Sequence, residues 1–401
     1  MDNLRKDFIG KFQSLDLLKE TLSIINTIEK NREKEILKYY KNKGINRKSV
    51  VITPQEIKKT LNKYDPDKLK IFKRLKATVA SLAKKEKALV KGKLIVNNDK
   101  NFISTIYNTP LENIGIYIPQ NLPSSLIFYC QLAKEAGVKN IVLALPPSQD
   151  GSVNPDLIAA ASLFKIYKIL AIGGRSAFPA MAFGLGGIIP NKLFGPCSLY
   201  VDHVKQVLNT FYKVPVDLPS GPSELLIFAD SDIEVRQIEY DVRAQMEHGP
   251  DSRCFIISTS ANLTNNLKKM TKDIKSQVSY FPVRNIDSAT KLINNIGPEI
   301  LEIFSRKPNR IIKNLKSIAN VYVNVCSPLG DYSVIGKGCA DPTYGMARGE
   351  SGITISSFYK TSCVNFSLRK PKIDNPWFIE IPKIEGFKYH KKAIEKFLSK
   401  E

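Results

Sequence analysis

The chain has 401 residues, the scale of two to three domains at roughly 150 residues each, and its apolar fraction of 43% is enough for ordinary globular cores. No run of about 18 uninterrupted apolar residues occurs, and the start "MDNLRKDFIG" lacks an apolar segment, which argues against a membrane span and a signal peptide. The formal net charge is +22, but the densest basic runs, "KKEKALVKGK" (84–93) and "RKPNRIIKNLK" (306–316), interleave no aromatics for base stacking, so a solvated basic surface is expected, not a nucleic-acid face.

The first hundred residues read as charged helices. "LLKETLSIINTIEKNREKEILKYYKNKG" and "KLKIFKRLKATVASLAKKEKALV" repeat apolar residues at three-four spacing. From about Ile114 the pattern changes to short continuous apolar runs: "IGIYIP", "NIVLALPP", "YKILAIGG", "LLIFAD" and "RCFIISTS". Helical segments such as "SSLIFYCQLAKEAGV" lie between several of them. That alternation predicts parallel sheets covered on both faces, which bind ligands at the carboxyl ends of their strands. The dinucleotide fingerprint G-x-G-x-x-G is absent; "AIGGRSAF" and "FGLGGI" lack its spacing. The six cysteines (Cys130, Cys197, Cys254, Cys326, Cys339 and Cys363) form no C-x-x-C pair and fit reduced, buried thiols in a cytoplasm. After about residue 360 the chain turns polar and ends in a helix that carries His390.

One stretch raises a chemical question. "DSDIEVRQIEYDVRAQMEHG" reads as a helix that Asp230 or Ser231 caps and Gly249 stops. Gln245 and His248 then share a face near its end, at i and i+3. Imidazole is a good zinc ligand and an amide oxygen a weaker one. Two ligands are too few, and spacing alone favours a plain helix-end histidine, whose charge the helix dipole stabilises. Asp331 in "LGDYS" and His390 are further candidates, although spacing does not show that they meet. The remaining histidine, His203, reads as a surface or helix residue, and Trp377 as a packing residue.

Residues 216–252, "VDLPSGPSELLIFADSDIEVRQIEYDVRAQMEHGPDS", resemble the signature of the histidinol dehydrogenase family, A-G-P-S-E followed by a helix ending S-Q-x-E-H-G-P-D-S. The resemblance runs along nearly the whole chain, through "IGIYIP", "IGGRSAFPAMAFG", "FGPCSLYVDHVK", "GPEIL", "GDYS" and "IEGFKYHKKA" in family order. It implies oxidation of L-histidinol to L-histidine through the aldehyde, with NAD and one zinc per subunit, in an intertwined cytoplasmic homodimer. Gln245, His248 and Asp331 match zinc ligands, and His390 matches the ligand that the family supplies from the partner subunit. All four also belong to the implied substrate site, with Ser223, Glu299 and Glu385. Glu299 matches the carboxylate that activates water for the second oxidation. Tyr117, Ser176 and Ser198 fall at cofactor contacts, although the family has glutamine and asparagine at the last two.

Other departures are sharper. Ile300 stands where the family has the histidine that accepts the alcohol proton. Cys339, in "KGCADPT", falls near a second family histidine, and Gln120-Asn121 replaces a glycine pair. The implied architecture is α/β: two incomplete Rossmann-like domains with small terminal segments. Its boundaries are an N-terminal segment 1–20, a first domain 21–113 plus 226–358, a second domain 114–225 on the NAD side, and a dimerisation segment 359–401. Three functions follow in order: a divergent histidinol dehydrogenase slowed by loss of its base, a zinc enzyme of another alcohol, and a non-catalytic zinc-bound dimer.

Overall fold

A computed structural model of the chain describes residues 14–90, 92–99, 102–119, 121–230, 233–332, 334, 342–343, 345–367 and 377–399. Ser231, Gln120 and Cys339 lie outside the described residues. The chain divides into two compact units, one of residues 1–87 and 110–358, the other of 88–109 and 359–401.

The larger unit opens with four helices: Leu15–Asn31 (α1), Glu33–Asn42 (α2), Pro54–Asn62 (α3) and Pro66–Lys87 (α4). A capping box starts α3: the Thr53 hydroxyl accepts from the Glu56 amide while the Glu56 carboxylate accepts from Thr53, satisfying two orphan donors at once. Lys93–Asp99 (β1) and Phe102–Pro110 (β2), in the smaller unit, follow. The larger unit then resumes with Asn113–Tyr117 (β3), Pro123–Ala136 (α5), Asn140–Ala144 (β4), Pro155–Ser162 (α6), Ile169–Leu170 (β5), Ala177–Ala182 (α7), Lys192–Phe194 (β6) and Leu199–Tyr212 (α8). The strands form a parallel sheet in the order β5-β4-β3-β6.

Ile25, Ile36, Tyr40 and Val50 share one buried cluster with Tyr117, Val142, Ala144, Phe178 and Val204. The N-terminal helices therefore pack on the four-stranded half, whereas the sequence-based expectation groups them with residues 226–358. Their apolar stripes require a covering surface, and the helices α5 to α8 of the four-stranded half supply it.

The second sheet is built from Glu224–Ala229 (β7), Val235–Met246 (α9), Arg253–Ser258 (β8), Ala261–Met270 (α10), Val278–Pro282 (β9), Ile286–Ile296 (α11), Ile300–Phe304 (β10), Asn309–Ile312 (α12), Asn320–Val323 (β11) and Pro328–Asp331 (α13). Its order is β11-β10-β7-β8-β9, all parallel. The continuous apolar runs have their expected cause. On β7, Leu225 and Ile227 face α9, while Leu226 and Phe228 join Ala289, Ile293 and Ile311 on the other side. Each fully buried aliphatic chain of this kind contributes about 1.5–3 kcal/mol relative to exposure.

In the smaller unit, β1 and β2 form an antiparallel hairpin, and Tyr359–Ser367 (β12) lies beside β2. Ser104 Oγ and Thr361 Oγ1 donate across that edge to Asn365 and Asn108. Trp377–Ile384 (α14) and Lys388–Ser399 (α15) complete it. Trp377, expected to pack, is 66% exposed and meets only the Phe378 ring among its described ring contacts. Among the described residues, no helix is long and apolar enough to cross a membrane.

Candidate active site

The amino-terminal edge of the five-stranded sheet gathers one group of candidates. Strands β7 and β10 are neighbours, with Leu225 opposite Ile300. The residues just before them therefore meet. Ser223 Oγ donates to Glu299 Oε2 at 2.7 Å, and the Glu224 amide donates to the same oxygen at 3.0 Å. Two donors on one oxygen hold the carboxylate in a fixed orientation at the strand mouth.

Ile300, one residue on, turns the other way. It is 7% exposed and packs in the cluster of Leu225, Ile227, Val242, Phe304 and Tyr322, with Met246 against it. An isoleucine side chain offers no proton acceptor at this position.

Helix α9 brings the second group. Its buried residues are Ile238, Asp241, Val242 and Gln245, a stripe at helical spacing in which two members are polar. The helix begins at Val235 after Glu234, with no side-chain cap; Asp230, a predicted cap, instead accepts from Ser305 Oγ. At the other end, Gln245 is buried and its Nε2 has no partner. His248 lies one turn further, exposed, with Nδ1 3.2 Å from the Gln245 carbonyl oxygen. A carbonyl only accepts, so Nδ1 carries a proton, and Nε2 is the ring nitrogen left to meet a ligand.

Asp331 ends the short helix α13, which Gly330 allows to press on Tyr322; a Cβ there would lie 1.8 Å from the tyrosine hydroxyl. Burial raises the Asp331 pKa, and the charge of His248 opposes that rise, so the two residues sense each other. The amide oxygen of Gln245, an imidazole nitrogen of His248 and the Asp331 carboxylate are N and O donors of the kind that hold a divalent cation. Among the described residues, no three His, Cys, Asp or Glu side chains form a metal cluster. Glu385 and His390 lie in the smaller unit; both are exposed, and the His390 ring lies 5.0 Å from that of Phe387.

The third group lies at the carboxyl edge of the four-stranded sheet. Tyr117 ends β3, Ser176 follows β5, and Ser198 follows β6 as the N-cap residue of α8. Strand order reverses between β3 and β6, the place where a doubly wound sheet opens a crevice. Tyr117 packs on Phe178, and burial pushes its hydroxyl up to about 12 against a bond from the Gly174 amide. Gly195, at φ 139°, passes so close that a Cβ would lie 2.0 Å from the Tyr117 carbonyl oxygen.

Two polar features escaped the sequence reading. Lys205 is wholly buried on α8; it bonds Asp217 at 2.7 Å, Leu218 O at 2.6 Å and Ser220 Oγ at 2.8 Å, and pairs with Asp202 at 3.3 Å. Asp217 in turn accepts from the Gly195 amide, fixing the turn before Ser198. The other feature is a buried acid pair, Asp241 and Glu302. A glutamate inside the apolar run "ILEIF" was its visible signal. His203 is a helix residue but a buried one, bonded through Nδ1 to Thr21 Oγ1 at 2.9 Å. Cys130 and Cys254 are buried as expected, whereas Cys363 is exposed.

The family profile of histidinol dehydrogenase matches residues 11–397. The chain belongs to the histidinol dehydrogenase family. The histidinol dehydrogenase of Clostridium acetobutylicum is 28% identical over 415 residues, covering 97% of this chain and 94% of its own length. That of Xanthomonas euvesicatoria pv. vesicatoria is 30% identical over 306 residues, covering 71% and 70%. The crystal structure of histidinol dehydrogenase from Elizabethkingia anophelis superposes with a TM-score of 0.87 at 26% identity, covering 96% of this chain and 93% of that one. Membership in the histidinol dehydrogenase family, and a mixed α/β fold with parallel sheets, therefore agree with the sequence reading.

Proposed function

We propose that the protein catalyses NAD- and zinc-dependent oxidation of L-histidinol to L-histidine through the aldehyde, the last step of histidine biosynthesis, as a cytoplasmic homodimer of incomplete Rossmann-like domains. The observation that carries this reading is the hydrogen bond by which Ser223 holds Glu299 at the amino edge of the five-stranded sheet; the donor chemistry of Gln245, His248 and Asp331, of which Asp331 and His248 interact electrostatically, adds to it.

Gln245, His248 and Asp331 would hold zinc, with His390 arriving from a second copy. Bound zinc supplies Lewis acidity toward the substrate's amine and hydroxyl. Helix α15 supports the exchange: it has no buried residue, and Tyr389 and Phe397 stand exposed on it. Glu385, at its approach, would bind substrate with Ser223. Tyr117, Ser176 and Ser198 would line the cofactor crevice; NAD, when bound, accepts two electrons in each oxidation.

Glu299 takes the proton of the water that attacks the aldehyde, and its two donors aim it for that role. The first oxidation has no such group at position 300. Loss of a general base costs about 10²–10⁴ in rate, so turnover on the alcohol should be slow. The test is NADH formation from L-histidinol and NAD by zinc-loaded protein. A rate no higher than that of Gln245→Ala would sink the reading.

The burial of Ile300 in the core favours a second reading, a zinc-bound dimer without this catalysis. Zinc uptake without NADH from L-histidinol or other alcohols would select it; NADH from another alcohol alone would indicate a changed substrate.

A further inference from the structure

Asp241 lies one helical turn before Gln245 on α9 and is 4% exposed; Glu302 lies in the middle of β10 and is 0% exposed. The two carboxyl groups lie within hydrogen-bonding reach of one another. Gln237 Nε2 donates to both Asp241 oxygens, at 3.1 and 3.2 Å. The Ser327 amide donates to Glu302 Oε1 at 2.6 Å, while Glu302 Oε2 has no partner as a bare carboxylate. Two ionised carboxylates offer no donor, so a bond between them needs one proton. Burial raises both acids above the usual carboxylate range, and the Asp241 charge raises Glu302 further, so the pair keeps that proton near neutral pH. The other titratable groups near the pair are the thiols of Cys254 on β8 and Cys326 after β11, whose pKa values burial and the two acids raise.

The consequence lies in what the pair connects. Ser327 starts the turn of α13, and its carbonyl accepts from the Asp331 amide at 3.2 Å. A continuous chain therefore runs from Gln245 through one helical turn to Asp241, across to Glu302, to Ser327, and through one more turn to Asp331. We propose that Asp241 and Glu302 share one proton and act as positioning residues, locking the helix end that carries Gln245 and His248 to the turn that carries Asp331. This rests on the reading of those three residues as metal ligands. An apolar pair of equal volume would fill the space without a desolvation cost, but it could not hold the Ser327 amide.

Two variants and one spectrum test it. In Glu302→Gln the amide still donates to Asp241 and accepts from Ser327, so zinc affinity should stay near the wild-type value. Glu302→Leu should lower zinc affinity about 10–100-fold, the usual cost of losing an outer partner. Its thermal unfolding, followed by circular dichroism, should remain cooperative, so that the lost affinity is read on folded protein. Infrared difference spectra at neutral pH should show a protonated-carboxyl band in wild type that Glu302→Gln lacks. Wild-type zinc affinity in a folded Glu302→Leu overturns the positioning role. An identical carboxyl band in wild type and Glu302→Gln overturns the shared proton, even if Glu302→Leu does not fold. Wild-type protein that takes up no zinc overturns the metal-site reading itself and the positioning role with it; that failure shows before any substitution is made.

Discussion

The two parallel sheets have the same strand logic and, under the proposed function, opposite uses. In each, the first strand has its second and third on one side and its fourth on the other: β5-β4-β3-β6 and β9-β8-β7-β10-β11. In the four-stranded sheet the candidate residues Tyr117 and Ser198 follow the carboxyl ends of the first and fourth strands. In the five-stranded sheet Ser223 and Glu299 precede the amino ends of the same pair. At a carboxyl edge, turns and helix starts offer backbone N–H groups to a ligand, so side chains there can change while binding survives. At the amino edge side chains must do the chemistry. Under the proposed function the departures follow that division: the cofactor candidates Ser176 and Ser198 lie on the carboxyl edge, while the zinc candidates Gln245, His248 and Asp331 keep the residue types that the resemblance implies. Ile300 is the exception, and its side chain has left the edge for the core.

The sharpest way to break this comparison is to remove a ligand. His248→Ala should cost zinc affinity more than the 10–100-fold of an outer partner, with activity lost in parallel. Competition against a chromophoric chelator measures the first and NADH formation the second. Unchanged affinity would remove the amino edge from the metal site. Next in size is Glu299→Gln. It should slow aldehyde oxidation by about 10²–10⁴, so that the aldehyde accumulates while the first oxidation continues. Trapping the aldehyde chemically and quantifying histidine separates the two steps; equal slowing of both would deny Glu299 a role specific to water.

How much of this was legible beforehand differs between the halves. Continuous runs such as "NIVLA" and "LLIFA" announced buried parallel strands, because a strand covered on both faces needs no polar alternation. The shared face of Gln245 and His248 near the helix end was legible, but the burial of Gln245 and the nearness of Asp331 to His248 were not, since both depend on distant chain folded back against the helix. The packing of α1 to α4 was not legible, since an amphipathic stripe states that it must be covered without stating by what. Glu302 and Lys205 were hidden for a related reason. A charge buried by distant partners looks, in sequence, like a charge facing water.

Ile300→His tests the exception. If only the proton acceptor is missing, the variant should raise the rate of alcohol oxidation by up to about 10²–10⁴. The imidazole enters an apolar cluster, so a stability loss of about 1–3 kcal/mol in denaturant titrations should accompany the gain. A stability loss without any gain in rate would mean that the deficit extends to the carboxyl edge.

The smallest expected effect probes that edge directly. Ser198 is exposed at the N-cap of α8 and makes no side-chain cap bond there, so a larger amide has room and displaces no existing contact. Ser198→Asn should add one hydrogen bond of about 0.5–1.5 kcal/mol. That predicts a fall of roughly two- to tenfold in KM for NAD with kcat nearly unchanged, because binding shared by ground and transition states acts on KM alone. The turn beneath it is already fixed by Gly195, Asp217 and the buried Lys205 ammonium, so the new side chain should settle without reorganising the backbone. A change in kcat instead of KM would place Ser198 nearer the reacting atoms than a carboxyl-edge contact should be, and the division between the two sheet edges would have to be redrawn.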